Sequence, residues 1–416
     1  MRTAGDHEIR AAVDRTREEV VALRRTIHRS PELAFEEHRT AELVARRSAE
    51  LGYAVRRNFG LATGVVADLD SGRAGPRLLL RADMDALPIT ERGAGRVAVS
   101  ESPGVMHACG HDGHVAMLLG AAAVLADLRD GWDGSVRLCF QPAEEQAGGA
   151  MPMIEAGVLD GVSRVLGIHL WAPLRAGMVG VTAGPIFGSA DEFRISIRGR
   201  GGHGGMPHTS IDPITAAAAV VSGLQSIVSR ETSPFAPAVI TIGRIEGGTA
   251  YNVIADDVSM RGTVRALTSD DRERLLRRVE EMSAAIAAAH RCEVTYERLA
   301  GCPPVTNDAS TAELVRTAAI DTVGEGNVEN SNPVTVGDDM AFMLERVPGC
   351  YFLVGAGDAE RGTLVPHHHA EFDIDEACLA VGTETMVRAA LAVLNATKPV
   401  CEGAAMPMIQ LPVTLQ

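Results

Sequence analysis

The run "RLLLRADMDALPI", residues 77–89, constrains the fold more than any other stretch of this chain. Its apolar residues are successive rather than alternating, and two aspartates and a proline close it. A strand with one wet face alternates; a continuous apolar run marks a strand covered on both faces. Neighbouring segments agree. "VAMLLGAAAVLADLRD" reads as a mostly apolar, buried helix, "SVRLCFQPAEE" as a strand turning into a loop at Pro142, and "VSRVLGIHL" as a strand ending at His169. Together they imply an α/β sheet with helices on both faces. In such sheets ligands gather beyond the carboxyl ends of the strands. Asp83, Asp85, Glu144, Glu145 and His169 are all read at such ends.

Upstream, residues 8–29 read as a charged amphipathic helix broken at Pro31, and "EEHRTAELVARRSAELG" as a second helix stopped by Gly52. Past residue 187 the pattern changes. "EFRISIRGRG" alternates, as a half-exposed strand does. An Ala-rich helix (211–230), strands "AVITIGRI" and "VSMRGTVRAL", helix "DRERLLRRVEEMSAAIAAAH" and strand "CEVTYERL" follow. That order, βαββαβ, is ferredoxin-like. The buried style then returns with helices near 310–322 and at "DDMAFMLERV", strand "CYFLVGAG" and a last helix to about 395. The division expected is a discontinuous catalytic domain, 1–186 plus 303–396, with an inserted domain at 187–302. The tail 397–416 is Pro-rich and without periodicity, so it is expected to be loosely ordered or to lie on another surface.

A chain of 416 residues with net charge −15 argues against a nucleic-acid or anionic-membrane surface. No apolar run reaches the roughly 18–20 residues of a membrane span, and the start has no apolar signal core. The expected location is cytoplasmic. The seven cysteines are scattered, so thiols are expected rather than disulfides, which leaves Cys109 available as a thiolate.

Five metal-ligand or proton-carrier residues fall within "HACGHDGH", residues 107–114. A solvated polar loop explains such a cluster as well as a metal site does, until other segments are added. Cys109, His111, Glu145, His169 and His368 come from four separated segments without a CxxC pair, which argues against a structural zinc knuckle. Five ligands suit two metals roughly 3.5–4 Å apart. His169 and His368 alone would read as structural, and "HHH" at 367–369 does not say which imidazole ligates. Glu144-Glu145, elsewhere a solvated pair, here follows a buried strand. Neighbouring side chains are expected to diverge, with Glu145 a ligand and Glu144 a general base, since a metal lowers the pKa of water to about 7 and a carboxylate can carry its proton. Asp85 would orient a ligand histidine. "GRGGHG", 199–204, matches G-x-G-x-x-G, but an alternating strand precedes it, so dinucleotide binding is disfavoured. The glycines instead let His203 and His208 approach a ligand or a partner chain. No GxSxG elbow supports a serine mechanism.

The motifs "RRTIHRSPELAFEEHRTAELV", "RADMDALPI", "HACGHDGH", "QPAEE", "GIHL", "GGHGGMPH" and "HHHAEFDIDE" occur in an order that resembles the hippurate hydrolase and N-acyl-amino-acid amidohydrolase family. These are aminoacylase-like metallopeptidases related to plant auxin-conjugate hydrolases. The resemblance spans about residues 8–396. It implies a zinc-peptidase-like α/β domain with an inserted ferredoxin-like lid used for dimerisation. It also implies metal ligands at Cys109, His111, Glu145, His169 and His368, a base at Glu144, and a lid His203 that stabilises the oxyanion, commonly in the partner's site. Asn252 would hold the substrate's carboxylate end. Ala255 stands where the family usually has proline, predicting a looser lid loop. Asp338 and Met340 stand where relatives often have Glu and Phe, positions read as shaping the acyl pocket, so the acyl group is not named.

The expected activity is hydrolysis of the amide of an N-acyl amino acid with two divalent ions of zinc, manganese, cobalt or nickel. The expected partners are that small substrate and a second copy of the chain, giving a homodimer or higher oligomer. A dipeptidase or carboxypeptidase using the same site is the alternative; a non-catalytic binding protein would lack a ligand or the base, and none is missing.

Overall fold

The computed structural model describes residues 5–93 and 95–396. The tail 397–416, expected to be loosely ordered, lies outside the described residues.

An eight-stranded sheet is built from β1 (Ala54–Arg57), β2 (Val65–Asp70), β3 (Arg77–Asp83), β4 (Ser135–Gln141), β5 (Val162–Arg175), β6 (Val179–Gly180), β15 (Val328–Glu329) and β16 (Gly349–Gly357). Its order is β1-β2-β4-β3-β5-β16-β6-β15. The four central strands β4, β3, β5 and β16 run parallel. Burial on both faces explains their continuous apolar sequences. Leu78 and Leu80 enter one core, Leu79 the other. The first core holds α1 (Asp6–Arg29), α2 (His38–Glu50), α3 (His111–Asp127), α7 (Ala309–Val323) and α9 (Cys378–Asn395). The second holds the short helices α4 (Ala150–Glu155) and α8 (Ala341–Leu344).

The chain leaves this body through β7 (Gly184–Phe187) and returns through β14 (Val305–Asn307), which pair antiparallel. Between them lie β8 (Ala190–Arg198), α5 (Pro213–Glu231), β10 (Ala238–Gly247), β12 (Asp257–Ala266), α6 (Ser269–Ala289) and β13 (Glu293–Cys302). The four strands form an antiparallel sheet, β10-β12-β8-β13. Alternation places Phe193, Ile195 and Ile197 in a separate core with Val220 and Leu224 of α5 and Leu275 and Val279 of α6. A two-stranded ribbon, β9 (Gly202–His203) with β11 (Val253–Ile254), projects from this unit.

Four expectations change. Strand β5 does not end at His169; it runs to Arg175 because β16 keeps pairing with it, while β3 stops pairing at Gly167. His169 therefore sits where one edge of the strand is open. Helix α3 begins at His111, so His111 and His114 lie on its first turn rather than in a loop. "DDMAFMLERV" yields only the four-residue α8, because Asp338 and Asp339 are drawn into a buried ion network. Helix α9 is long and apolar enough by composition to cross a membrane, but 72% of it is buried within the protein, which makes it a core helix.

Candidate metal centre

The three histidines of "HACGHDGH" meet three different fates. Gly110, at φ +92°, turns the chain into α3 in a conformation that favours glycine. His111 Nδ1 lies 2.9 Å from the Asp85 carbonyl, which must accept its proton. That leaves Nε2 to face the donor group; against the effect of burial, Asp83, Asp85 and Cys109 raise the His111 pKa well above the usual range, a proton that a bound cation would replace. His111 Nε2 is buried, has no hydrogen-bond partner among the described residues, and lies 3.8 Å from Asp83 and Glu144 and 3.9 Å from Glu145. His114 spends both nitrogens: Nδ1 donates to Asp83 at 2.6 Å and Nε2 accepts the Leu170 amide at 2.8 Å. It fixes the backbone beside His169. His107 is buried with no hydrogen-bond partner among the described residues, and burial pushes its pKa down to about 4, so it is neutral.

Glu144 and Glu145 occupy a one-turn helix bracketed by Ala143 (φ +54°) and Ala147 (φ +48°). Each left-handed alanine costs on the order of 1–3 kcal/mol and persists only where neighbours hold it. Asp85 is one such neighbour. Its carboxylate accepts the amides of Glu144 at 3.1 Å and Glu145 at 3.0 Å. Asp339 accepts those of Gly149 at 3.2 Å and Ala150 at 2.9 Å. The tight turn brings both carboxylates near His111, and beyond it they diverge as expected, Glu144 toward Asp338 and Asp339 and Glu145 toward Cys109 and His368. Glu145 also reaches His368 Nε2 at 3.4 Å. Asp85 does meet a ligand candidate, through its carbonyl rather than mainly through its carboxylate.

The ligating atoms of Cys109, His111 and His169 lie within 4.8 Å of one another, as do those of Cys109, Glu145 and His368. The two groups overlap at the thiol. His169 Nδ1 donates to the Leu170 carbonyl at 2.6 Å, so Nε2 faces Cys109 Sγ at 3.6 Å. Burial and the neighbouring His114 hold His169 well below the ordinary imidazole range, in its neutral, ligating form. Of "HHH", only His368 reaches the group. His367 stacks on Trp171 with centroids 4.9 Å apart and accepts the Ala172 amide at 3.2 Å; His369 accepts the Glu371 amide at 3.1 Å. His368 has φ +62° and its amide bonds to the Ala108 carbonyl at 2.8 Å. Hydrogen bonds with Cys109 and Glu145 push its pKa up to about 10, a proton that a bound cation would replace. Nitrogen, sulfur and oxygen donors in two overlapping groups, with His111 Nε2 and Glu145 Oε1 buried and unpartnered among the described residues, fit a pair of divalent ions.

Sequence reasoning missed the network behind this group. Arg81, 1% exposed, donates to Asp83 at 2.6 Å, Asp338 at 3.2 Å and Asp339 at 3.1 Å; Tyr351 donates to Asp338 at 2.7 Å. The signal was an arginine inside an apolar strand run, which is buried only with partners. Burial, then Asp338, then Glu145 raise the Glu144 carboxyl well above the usual range. Such a group holds a proton more readily than an ordinary carboxylate, as a proton carrier must.

A cavity of about 740 Å³ opens onto Glu144, Glu145, His169 and His368, with Trp171, Phe187 and Val336 on its apolar side and Arg265 of β12 reaching in from the smaller sheet. Among the described residues Arg265 has no ion-pair partner, while Asp191 and Glu192 in the same wall are paired with Arg272 and Arg261. Asp338 lines the cavity. Met340 does not: it is fully buried against Gly167, which corrects its reading as a pocket residue. His203 and Asn252 are not brought to the cavity within the chain. They sit together on the exposed β9–β11 ribbon, where the Gly204 amide donates to the Asn252 carbonyl at 2.9 Å.

A sequence model of peptidase family M20/M25/M40 matches residues 79–392. An N-acetyl-L-cysteine deacetylase of Bacillus subtilis is 38% identical over 91% of this chain and 89% of its own length. Thermostable carboxypeptidase 2 of Saccharolobus solfataricus is 40% identical over 87% of this chain and 92% of its own. Among solved structures, a Bacillus subtilis protein described as a dinuclear metal-binding peptidase of the M20 family superposes with TM-score 0.81 at 33% identity, covering 92% of this chain and 99% of that one. The resemblance read from seven sequence motifs thus holds across nearly the whole chain, and the protein belongs to peptidase family M20/M25/M40, the metal-dependent amidohydrolases and peptidases.

Proposed function

We propose that this protein hydrolyses the amide of N-acyl amino acids, releasing a carboxylic acid and a free amino acid. The observation that carries the reading is the pair of ligand groups sharing Cys109, set beside Glu144 at a cavity that is apolar on one side and carries an uncommitted arginine. Cys109, His111, Glu145, His169 and His368 would hold two divalent ions of zinc, manganese, cobalt or nickel, which when bound supply Lewis-acid polarisation of the amide and acidify water. Glu144 takes the proton of the attacking water and delivers it to the leaving amine. Asp85 holds His111 and the amides of Glu144 and Glu145. Arg265 faces the free carboxylate of the amino-acid half, a role the sequence reading had given to Asn252. Residues 1–186 and 303–396 form the catalytic domain, and 187–302 a ferredoxin-like lid. The lid ribbon exposes Tyr251 fully and Val253 by 46%, beside His203 and Asn252, which supports its docking on a second copy and donation of His203 to that copy's oxyanion. Six described cysteines are unpaired thiols, as in a reducing, cytoplasmic setting.

The carboxypeptidase or dipeptidase reading is the second one, favoured by the S. solfataricus relative. Arg265 suits a peptide's carboxylate equally. The other half distinguishes them: a dipeptide's ammonium needs an uncommitted carboxylate, and Asp191 and Glu192 are both ion-paired. The test is amine release from N-acetyl, N-benzoyl and longer-chain acyl amino acids and from free dipeptides, on chelated protein restored with each metal. Cleavage of one acyl class supports the first reading, dipeptide cleavage the second, and no cleavage with any metal sinks both.

A further inference from the structure

The segment "SPELAFEE", residues 30–37, matches the family motif but has no part in the mechanism above. Its placement assigns it one. Glu37 stands at the N-cap of α2, where a side chain ordinarily accepts an amide of the helix's first turn. It makes no such bond. Glu32 does that work instead, accepting the amides of Arg39 at 2.9 Å and Thr40 at 3.0 Å. The Glu37 carboxylate turns inward, fully buried, and has no cation partner among the described residues. It accepts three neutral donors: the Ala143 amide at 2.9 Å, the Phe35 amide at 3.0 Å and the Thr63 hydroxyl at 2.6 Å. Ala143 is the left-handed residue that launches Glu144 and Glu145. A buried anion without a cation is a poor choice for a merely structural turn.

The strap holding Glu37 grips the same loop elsewhere. Phe35, itself at φ +70°, presses its ring end on Gly148, where a Cβ would lie 2.8 Å from Cζ. The Glu32 carbonyl accepts the Ala86 amide at 2.8 Å, next to Asp85. Glu37 and Asp85 therefore fix three successive amides, 143 to 145, with charge-assisted bonds. We propose that Glu37 is a positioning residue: through Ala143 it sets where the Glu144 and Glu145 carboxylates stand. The proposal rests on the hydrolase reading for its consequence in turnover, but not for its geometry.

The experiment compares Glu37→Ala, Glu37→Gln and Glu32→Ala in the full chain, reading thermal unfolding, kcat and KM, and the visible absorption of cobalt(II)-loaded protein. Displacement of a catalytic group by about 1 Å can cost about 10²-fold in rate. Glu37→Ala is expected to lose about that much kcat with KM within about threefold, and to change the cobalt spectrum as Glu145 shifts. Glu37→Gln, which keeps an acceptor for the Ala143 amide, should recover most of both. Glu32→Ala should lower the unfolding temperature and leave kcat and spectrum as in the parent. If Glu37→Ala matches Glu32→Ala in kcat and spectrum, the positioning role is wrong. Should Glu37→Ala not fold, Glu37→Asp draws the acceptor back from the Ala143 amide by one methylene; a spectrum and kcat equal to the parent's would overturn the proposal, and a shifted spectrum with lowered kcat would uphold it. If the parent cleaves no amide, the function reading fails, and the cobalt spectrum alone still decides the role of Glu37.

Discussion

His111 and Asp112 are neighbours on the first turn of α3, yet they belong to two buried clusters of opposite character. On the Asp112 side, Arg24 donates to Asp112 at 2.8 Å and to Asp373 at 3.1 Å, His28 reaches Asp112 at 2.8 Å and Glu91 at 3.3 Å, and Arg96 pairs with Glu91 at 2.7 Å. Cations and carboxylates there pair with one another, although Asp112 Oδ1 is left without a hydrogen-bond partner among the described residues. On the His111 side, Arg81 answers Asp83, Asp338 and Asp339, while Glu144 and Glu145 face only the imidazoles of His111 and His368, and among the described residues His111 Nε2 and Glu145 Oε1 have no hydrogen-bond partner. Buried charge compensated inside the chain supports the fold. Carboxylates answered only by imidazoles and a thiol make the donor set a divalent cation would use.

The sharpest way to break this contrast is Glu144→Gln. Turnover should fall on the order of 10³-fold or more while bound metal, measured by elemental analysis of desalted protein, stays at the parent's level. Loss of metal would make Glu144 a ligand rather than a proton carrier. Asp112→Ala attacks the other side. Leaving Arg24 buried and unanswered should cost about 3–5 kcal/mol in urea unfolding, with kcat per folded molecule within a few-fold of the parent's. Equal damage to kcat would show that the two clusters act as one.

Arg265→Met tests the uncommitted cation in the cavity. One charged hydrogen bond to the substrate's carboxylate is worth roughly 10–100-fold, expected in KM with kcat nearly unchanged. An unaltered KM would put the carboxylate elsewhere. The smallest effect is in pH. His28 is raised above 6.5, because Asp112 and Glu91 outweigh the opposing effects of burial and Arg24, so its contribution to stability is complete below 6.5 and fades as pH rises through its folded value. Glu91 is lowered to about 2; burial opposes this, but His28, the Ser100 amide and Arg96 outweigh it. Its contribution is complete above about 4.5 and fades as pH falls toward 2. The compensated cluster should therefore add most to stability between about 4.5 and 6.5. Unfolding of the Glu91→Gln protein beside the parent across pH 3–9 measures it; a difference that does not vary with pH would remove the cluster's electrostatic role.

Much of this was legible in the residues. Apolar runs such as "RLLLRADMDALPI" require a strand covered on both faces whatever the fold, because water cannot be left on either side. Alternation in "EFRISIRG" requires a sheet with one core face, so the change of architecture near 187 shows in a single sequence. Residue chemistry marked Cys109, His111, Glu145, His169 and His368 as one donor set, since thiol, imidazole and carboxylate at strand ends have few other common uses.

Other features depended on what the folded chain brings near each group. Whether His111 or His114 turns a free nitrogen toward the donor group is settled by the Asp85 carbonyl, the Asp83 carboxylate and the Leu170 amide, none of them predictable from spacing. That both glutamates face His111 follows from left-handed alanines held by Glu37, Asp85 and Asp339. The compensation of Asp112 comes from Arg24 and His28, 88 and 84 positions away in the chain. The sequence determined which residues are able to bind a metal or bury a charge, because that is local chemistry. Tertiary structure decided which of them do, because a proton, a lone pair or a buried charge answers only to neighbours a few ångströms away, and in this protein those neighbours come from distant segments.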